Sequence, residues 1–206
     1  MPEPIEMGLF PLDMVLLPGE PAPLHLFEPR YRQLFADCSL EDRPFVLVRQ
    51  EGERQASVGC SARFETVEKR FEDGRLAVIV RGLEPVELGE ETEGNLYFSA
   101  NVTPLEDESE AEHQDLLAEA AAAYRRFAQD AIGESREPPQ PENVASSYAM
   151  AGTIDLAPEP KQELLEMRRE SDRLKKLIEI LAGAGESLKR ARIAAERAPL
   201  NGKVSH

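Results

Sequence analysis

The chain of 206 residues has no tryptophan, only two cysteines and only three histidines. Cys38 and Cys60 stand apart, and neither has a Cys or His neighbour at ligand spacing. A disulfide framework and a Cys/His zinc site therefore both lack material, and two buried free thiols are expected. No metal and no cofactor is expected. No apolar run reaches the roughly 20 residues that span a bilayer. The start, "MPEPIEMGLFPLDMVLLPGE", has no basic segment and is interrupted by prolines, unlike a secretory signal. A cytoplasmic protein with no membrane contact is the resulting expectation.

Positive charge is also scarce. The net charge is −15, and residues 1–160 contain a single lysine, Lys69. Such acidity repels phosphate backbones, so nucleic acid is an unfavourable partner. Residues 161–206 differ, with 11 Lys+Arg against 7 Asp+Glu. That excess reads first as a solvated helix face and second as a surface for an acidic partner.

The first half carries β patterns. "FVLVRQ" (45–50) is a short apolar run, and "SVGCSARFETVEKRFE" (57–72) places Cys60, Ala62 and Phe64 on alternate positions. "EDGR" (72–75) supplies Asp-Gly turn chemistry before "LAVIVRG" (76–82), which predicts a hairpin. "EPVELGEE" (84–91) and "GNLYFSANVTPLE" (94–106) predict two further strands. In the last, Leu96, Phe98, Ala100 and Val102 are expected on one face and Tyr97, Ser99 and Asn101 on the other. With the N-terminal segments, six or seven strands and one short helix suggest a closed or nearly closed small barrel.

The second half carries helical patterns. Ser109 is the expected N-cap of a helix whose stripe is Leu116, Leu117, Ala120, Tyr124, Phe127, Ala128 and Ala131. "GESREPPQPE" (133–142) is a proline-rich loop. A shorter helix is expected over 143–156 with Asn143 as N-cap, and others over 157–167 and 170–198. "GAG" (183–185) is a place where the last could kink or end, and the final "PLNGKVSH" reads as frayed. Pairing of Asp172 with Lys176, and of Lys175 with Glu179, is expected on the outer face. The division is a β subdomain, 1–106, and an α subdomain, 107–206.

Catalytic signatures are missing. G-x-x-x-x-G-K-[ST], G-x-G-x-x-G and G-x-S-x-G do not occur. Carboxylate pairs are too common in so acidic a chain to single out any one. What stands out is "PLHLFEPRYRQLF" (23–35). Leu24 and Leu26 alternate with His25 and Phe27 as in a strand, and then Tyr31, Leu34, Phe35 and Cys38 recur with helical spacing. Glu28 precedes proline and is driven towards extended backbone, while Pro29 suits the first helical position. Arg30 lies near the positive end of that helix and calls for a carboxylate, with Glu28 one candidate. The corner is thus a clamp between strand and helix, or else His25, Glu28, Arg30 and Arg32 rim a groove.

"LFPLDMVLLPGEPAPLHLFEPRYRQLF" (9–35) resembles the beginning of the Lon protease N-terminal domain. "VGCSARFETVEKRFEDGRLAVIVRGLEPVEL" (58–88) is similar to that family's central β block. "SSYAMAGTIDLAPEPKQELLEM", followed by "DRL" (146–174), is similar to its helical segment. The resemblance runs from about 7 to 182. Where many members keep an arginine, this sequence has Glu84-Pro85. The resemblance implies an α+β fold: a PUA-like β pseudo-barrel followed by a C-terminal α-helical bundle. Lon proteases continue into a Walker-loop ATPase and a Ser-Lys protease, and this chain ends before either, so a stand-alone domain is expected.

The function expected is non-catalytic recognition of protein or peptide, including unfolded segments. The groove would comprise His25, Phe27, Glu28, Arg30, Arg32 and Tyr97, with Phe10, Leu16 and Leu17 as further apolar candidates. A small-molecule or hydrolytic cleft between barrel and helices is the alternative. RNA binding, through Arg49, Arg54, Arg63, Arg70, Arg75 and Arg81, ranks third.

Overall fold

The computed structural model describes residues 4–111, 113–140 and 143–197. Seven strands come first, with one helix among them: β1 (Ile5–Leu12), β2 (Pro21–Leu26), α1 (Pro29–Glu41), β3 (Phe45–Glu51), β4 (Arg54–Gln55), β5 (Val58–Arg70), β6 (Leu76–Thr92) and β7 (Ser99–Pro104). Four helices follow: α2 (Gln114–Ile132), α3 (Ser146–Ala151), α4 (Pro158–Glu166) and α5 (Glu170–Arg197). The fold is α+β, as expected, and its sheet is an irregular barrel. The strands run in the order β1-β7-β6-β5-β3-β4, β2 lies against β6, and β1 closes the ring by pairing parallel to β3.

Two strands expected over 76–82 and 84–91 form the single strand β6. A proline inside a strand is tolerated at a bulge, and Pro85 sits at one. It pairs with Cys60 just before the register shifts to Ala62 and Gly82. β3 is buried on both faces: Phe45 and Leu47 join the main core, while Val46 and Val48 join a smaller one with Leu9, Val86, Ala100 and Val102. The main core runs without a break from the barrel into Ala120, Tyr124, Tyr148, Leu164, Leu174 and Leu177 of the helices. Cys38 and Cys60 are buried free thiols, with burial pushing both pKa values up, Cys38 to about 11.

Helix starts depart from expectation: α2 has no side-chain cap, and the start of α3 is capped by a carboxylate distant in sequence. α2 begins at Gln114, not after Ser109. Residues 106–110 instead run along the start of α5. Glu108 N–H donates to the Arg168 carbonyl (2.7 Å), and Arg169 binds the Glu108 carboxylate (2.7 Å). Glu110 accepts the Ser171 N–H (2.8 Å) and hydroxyl (2.7 Å). Likewise α3 starts at Ser146 with no cap from Asn143, because Glu170 accepts the Ser147 N–H (2.9 Å) and hydroxyl (2.5 Å). α5 passes through 183–185 unbroken, with Gly185 facing Asp130 of α2. Lys175 pairs with Asp172 at i,i+3, and Lys176 reaches across to Glu163 of α4. The tail expected to fray, 199–206, lies outside the described residues.

The two Ser171 bonds, aided by His113, hold the Glu110 carboxyl at about 2, below its ordinary 4.5. A carboxylate with a lowered folded-state value stabilises the fold fully above its unfolded value and loses that contribution as pH falls through the folded one. The strap should therefore weaken between about pH 4.5 and pH 2. Urea unfolding across that window should decline less steeply for Glu110→Gln than for the parent, and identical slopes would contradict the assignment.

Candidate functional site

The β2–α1 corner forms as its sequence dictates. Ala22, Leu24 and Leu26 are buried and His25 faces out. Glu28 is extended (φ −76°, ψ 139°) and Pro29 opens the helix. Arg30 binds the Glu28 carboxylate at 2.9 Å, and Tyr31 stacks on Phe10 at 4.1 Å. Arg32 Nη1 donates to the Asp73 carbonyl (3.4 Å), tying the helix to the β5–β6 turn. The corner is a clamp.

Its outer side carries exposed aromatic surface. Phe27 is 60% exposed and Phe98 51%. The His25 ring lies 6.3 Å from Phe27 and 5.4 Å from half-buried Phe71. Arg30 reaches Phe98 from the other end, 5.6 Å from its ring. Lys69 and Arg75 flank Phe71 at 4.8 and 5.2 Å. Each of these two aromatic groups is flanked by charge, the pattern of an interaction site.

Five of the six expected groove residues gather at this corner; Tyr97 does not. Burial alternates through Leu96, Tyr97, Phe98 and Ser99 as expected, but the Tyr97 side is the buried one. Tyr97 is consequently buried over Gly8, with its hydroxyl donating to Asp37 (3.1 Å), while Leu96 and Phe98 point outwards. Tyr97 lines a separate cavity of about 310 Å³ between β1 and the end of α1. Phe10, Leu16 and Leu17 are core residues. Phe71 and Phe98 were not singled out by sequence; the former's place beside the Asp-Gly turn was the available signal.

The alternatives find less support. The cavity where Gly19, Glu20 and Pro21 of the barrel meet Tyr148 and Thr153 is about 140 Å³, below the ~300–1,000 Å³ of ordinary small-molecule sites. A larger one, about 400 Å³, lies among the helices, but its Glu110 and Glu170 already serve as caps. Among the described residues, no group of three His, Cys, Asp or Glu could hold a metal. Of the arginines considered for RNA, Arg49, Arg75 and Arg81 are engaged by Glu159, Asp73 and Glu65. No helix among the described residues is long and apolar enough to cross a membrane.

Comparison with known proteins agrees with this architecture. A comparison with curated proteins finds no match. Two solved structures have the same fold. A Lon N-terminal domain protein from Xanthomonas campestris is 23% identical, with a TM-score of 0.62, covering 84% of this chain and 97% of that one. The N-terminal domain of a Mycobacterium avium complex Lon protease is 22% identical, with a TM-score of 0.68, covering 86% and 98%. The family model for the ATP-dependent protease La (LON) substrate-binding domain matches residues 6–183. The chain belongs to that family.

Proposed function

We propose that the chain is a non-catalytic module that recognises protein segments, including unfolded ones, in the cytoplasm. The β part, 1–106, carries the recognition surface and the α part, 107–206, buttresses it. The observation that carries this reading is the exposure of Phe27 and Phe98, with His25 and half-buried Phe71 in the cluster of the first ring and Arg30 beside the second. Glu28 and Arg30 neutralise each other beside it, so the apolar faces are the attractive element. The family match supports the class of partner. The buried free thiols suit a reducing compartment.

The test is fluorescence anisotropy with a labelled, reduced and carboxymethylated protein as the unfolded probe, without ATP. Phe27→Ser combined with Phe98→Ser should weaken binding at least about tenfold, since exposed aromatics anchor such contacts. The melting temperature should barely change, because both rings are more than half exposed. Unchanged affinity would remove this surface from the account.

A further inference from the structure

The sheet of β2, β6 and β5 buries one side only. Leu24, Leu26, Val78 and Val80 join the main core, whereas Phe71, Ala77 and Ile79 belong to neither core. Cross-strand register fixes what shares the outer side with them. His25, Ala77 and Lys69 stand in one row, and Pro23, Ile79 and Thr66 in the next. Phe71 N–H donates to Arg75 O (3.0 Å), which puts those two in the row beyond His25, on the side of Phe27. Apolar side chains thus run from Phe27 and Phe71 at the hairpin end to Ile79 and Pro23. The edge of β2 is closed to an added strand. Gly82 N–H donates to Glu20 O (3.0 Å), and the alternation of antiparallel bonds from there turns residues 21, 23 and 25 outwards. Pro21 and Pro23 have no N–H, so side chains across the face must hold any partner.

The cations of this face are not all matched. Arg75 binds Asp73 at 2.7 Å, and Arg81 binds Glu65 at 2.9 Å. Among the described residues, Lys69 and Arg63 have no carboxylate within ion-pair distance, and neighbouring Glu68 and Glu72 do not reach them. Lys69 Nζ instead lies 4.8 Å over the Phe71 ring. In a chain of 39 acidic and 24 basic side chains, these two cations are left for a partner to match. Their spacing is set by β6. Lys69 stands beside Ala77 and Arg63 beside Arg81, with Ile79 midway. That is about 13 Å of strand, and an extended segment shows one side every two residues, about 7 Å. Carboxylates four residues apart therefore reach both cations, while the side chain midway between them meets Ile79.

We infer that the outer face of β2, β6 and β5 binds an extended segment of a protein partner in which two carboxylates, four residues apart, enclose an apolar side chain. One carboxylate meets Lys69 and the other Arg63. An aromatic residue two positions before the first carboxylate meets Phe27 and Phe71. A nucleic acid would bring a charge with every nucleotide into the field of a chain of net charge −15, whereas this segment brings two. The inference rests on the recognition reading above and specifies the chemistry of the segment recognised at Phe27.

The probe is a labelled peptide with Phe, Glu, Val and Glu, in that order, at alternate positions and serines between them. In the extended form all four face one way. It should bind the parent protein, and glutamine in place of both glutamates should weaken it about fivefold, the loss of two exposed ion pairs. An isomer with each glutamate exchanged for the next serine turns its carboxylates to the opposite side and should weaken equally. Lys69→Glu should weaken the glutamate peptide and come to prefer one with lysine in place of the glutamates. The peptide series on the parent stands even if that variant folds poorly. If the unfolded-protein probe binds while glutamate and glutamine peptides bind alike, the carboxylate preference is overturned and apolar recognition survives. If neither probe binds, both fall. Tighter binding of a single-stranded oligonucleotide that displaces the peptide would overturn the protein segment as occupant.

Discussion

Arg173→Ala should lower stability by about 3–5 kcal/mol, the cost of removing one partner from a buried ion pair. Arg173 is fully buried on α5. Its Nη1 donates to Asp107 (2.7 Å) and to the Met167 carbonyl (2.8 Å), and its Nη2 to the second Asp107 oxygen. Nε serves Glu170 (3.0 Å) and the Ser147 hydroxyl (3.2 Å), and the guanidinium sits 4.5 Å over the Tyr148 ring. One side chain thus joins the segment after the barrel, the start of α3 and the start of α5. Truncation leaves Glu170 poorly solvated, while Asp107, which is 45% exposed, can rehydrate. At about 2–4 °C per kcal/mol for a chain of this size, the melting temperature should fall by roughly 6–20 °C. Asp107→Asn should cost less, about 1–2 kcal/mol, because Arg173 keeps Glu170. Equal melting of Arg173→Ala and the parent would contradict this network.

Gly82→Ala should be nearly as damaging, through backbone rather than charge. A Cβ at Gly82 would lie 2.2 Å from the Leu17 carbonyl oxygen and 2.9 Å from its carbon. That atom belongs to a tight turn over Leu17–Glu20, where Glu20 N–H returns to Leu17 O (3.0 Å) and Gly19 takes a φ of +78°. Pro18-Gly19 is the pair such a turn demands. Gly82 also exchanges backbone hydrogen bonds with Gly19 and Glu20 at 2.9 and 3.0 Å. The turn cannot retreat freely, since Glu20 holds Leu17 N–H and receives Lys161 Nζ of α4 at 2.5 Å. One methyl group would therefore strain β6, the turn and the barrel–helix contact together. A loss of about 3 kcal/mol, at the upper end for overpacking, is expected. Calorimetry reads it as a drop of roughly 6–12 °C; a shift under about 2 °C would show that the turn is more compliant than its contacts imply.

What the sequence revealed, and what it hid, follows from the range of the interactions involved. The β2–α1 corner was legible because Glu28-Pro29 acts on its own neighbours and the period changes within four residues. The hairpin at Asp73-Gly74 was legible for the same reason. The caps of α3 and α5 were not, because Ser147 meets Glu170, and Ser171 meets Glu110, across long separations. Nearby Ser109 and Asn143 look like caps but do not serve. β6 was divided in two because Pro85 normally interrupts a strand, and only its partner's register shift accommodates it.

The candidate site divided along the same line. His25, Phe27, Glu28, Arg30 and Arg32 are local to one corner and were identified together. Tyr97 does not join them, because alternation gives the two sides of 96–99 but not which of them faces α1, and Tyr97 is on the buried side. The opposite side exposes Phe98, whose ring lies beside Arg30. Phe71 joins only through hairpin folding.

The central claim, recognition of protein segments without catalysis, is tested most directly by one protein offered in two states. The parent chain is titrated, without ATP, with a disulfide-bonded globular protein and with its reduced, carboxymethylated form, and products are followed on gels. The account predicts saturable binding of the unfolded form, weak or no binding of the folded form, and no cleavage of either. Cleavage of the probe, or equal affinity for both states, would contradict it.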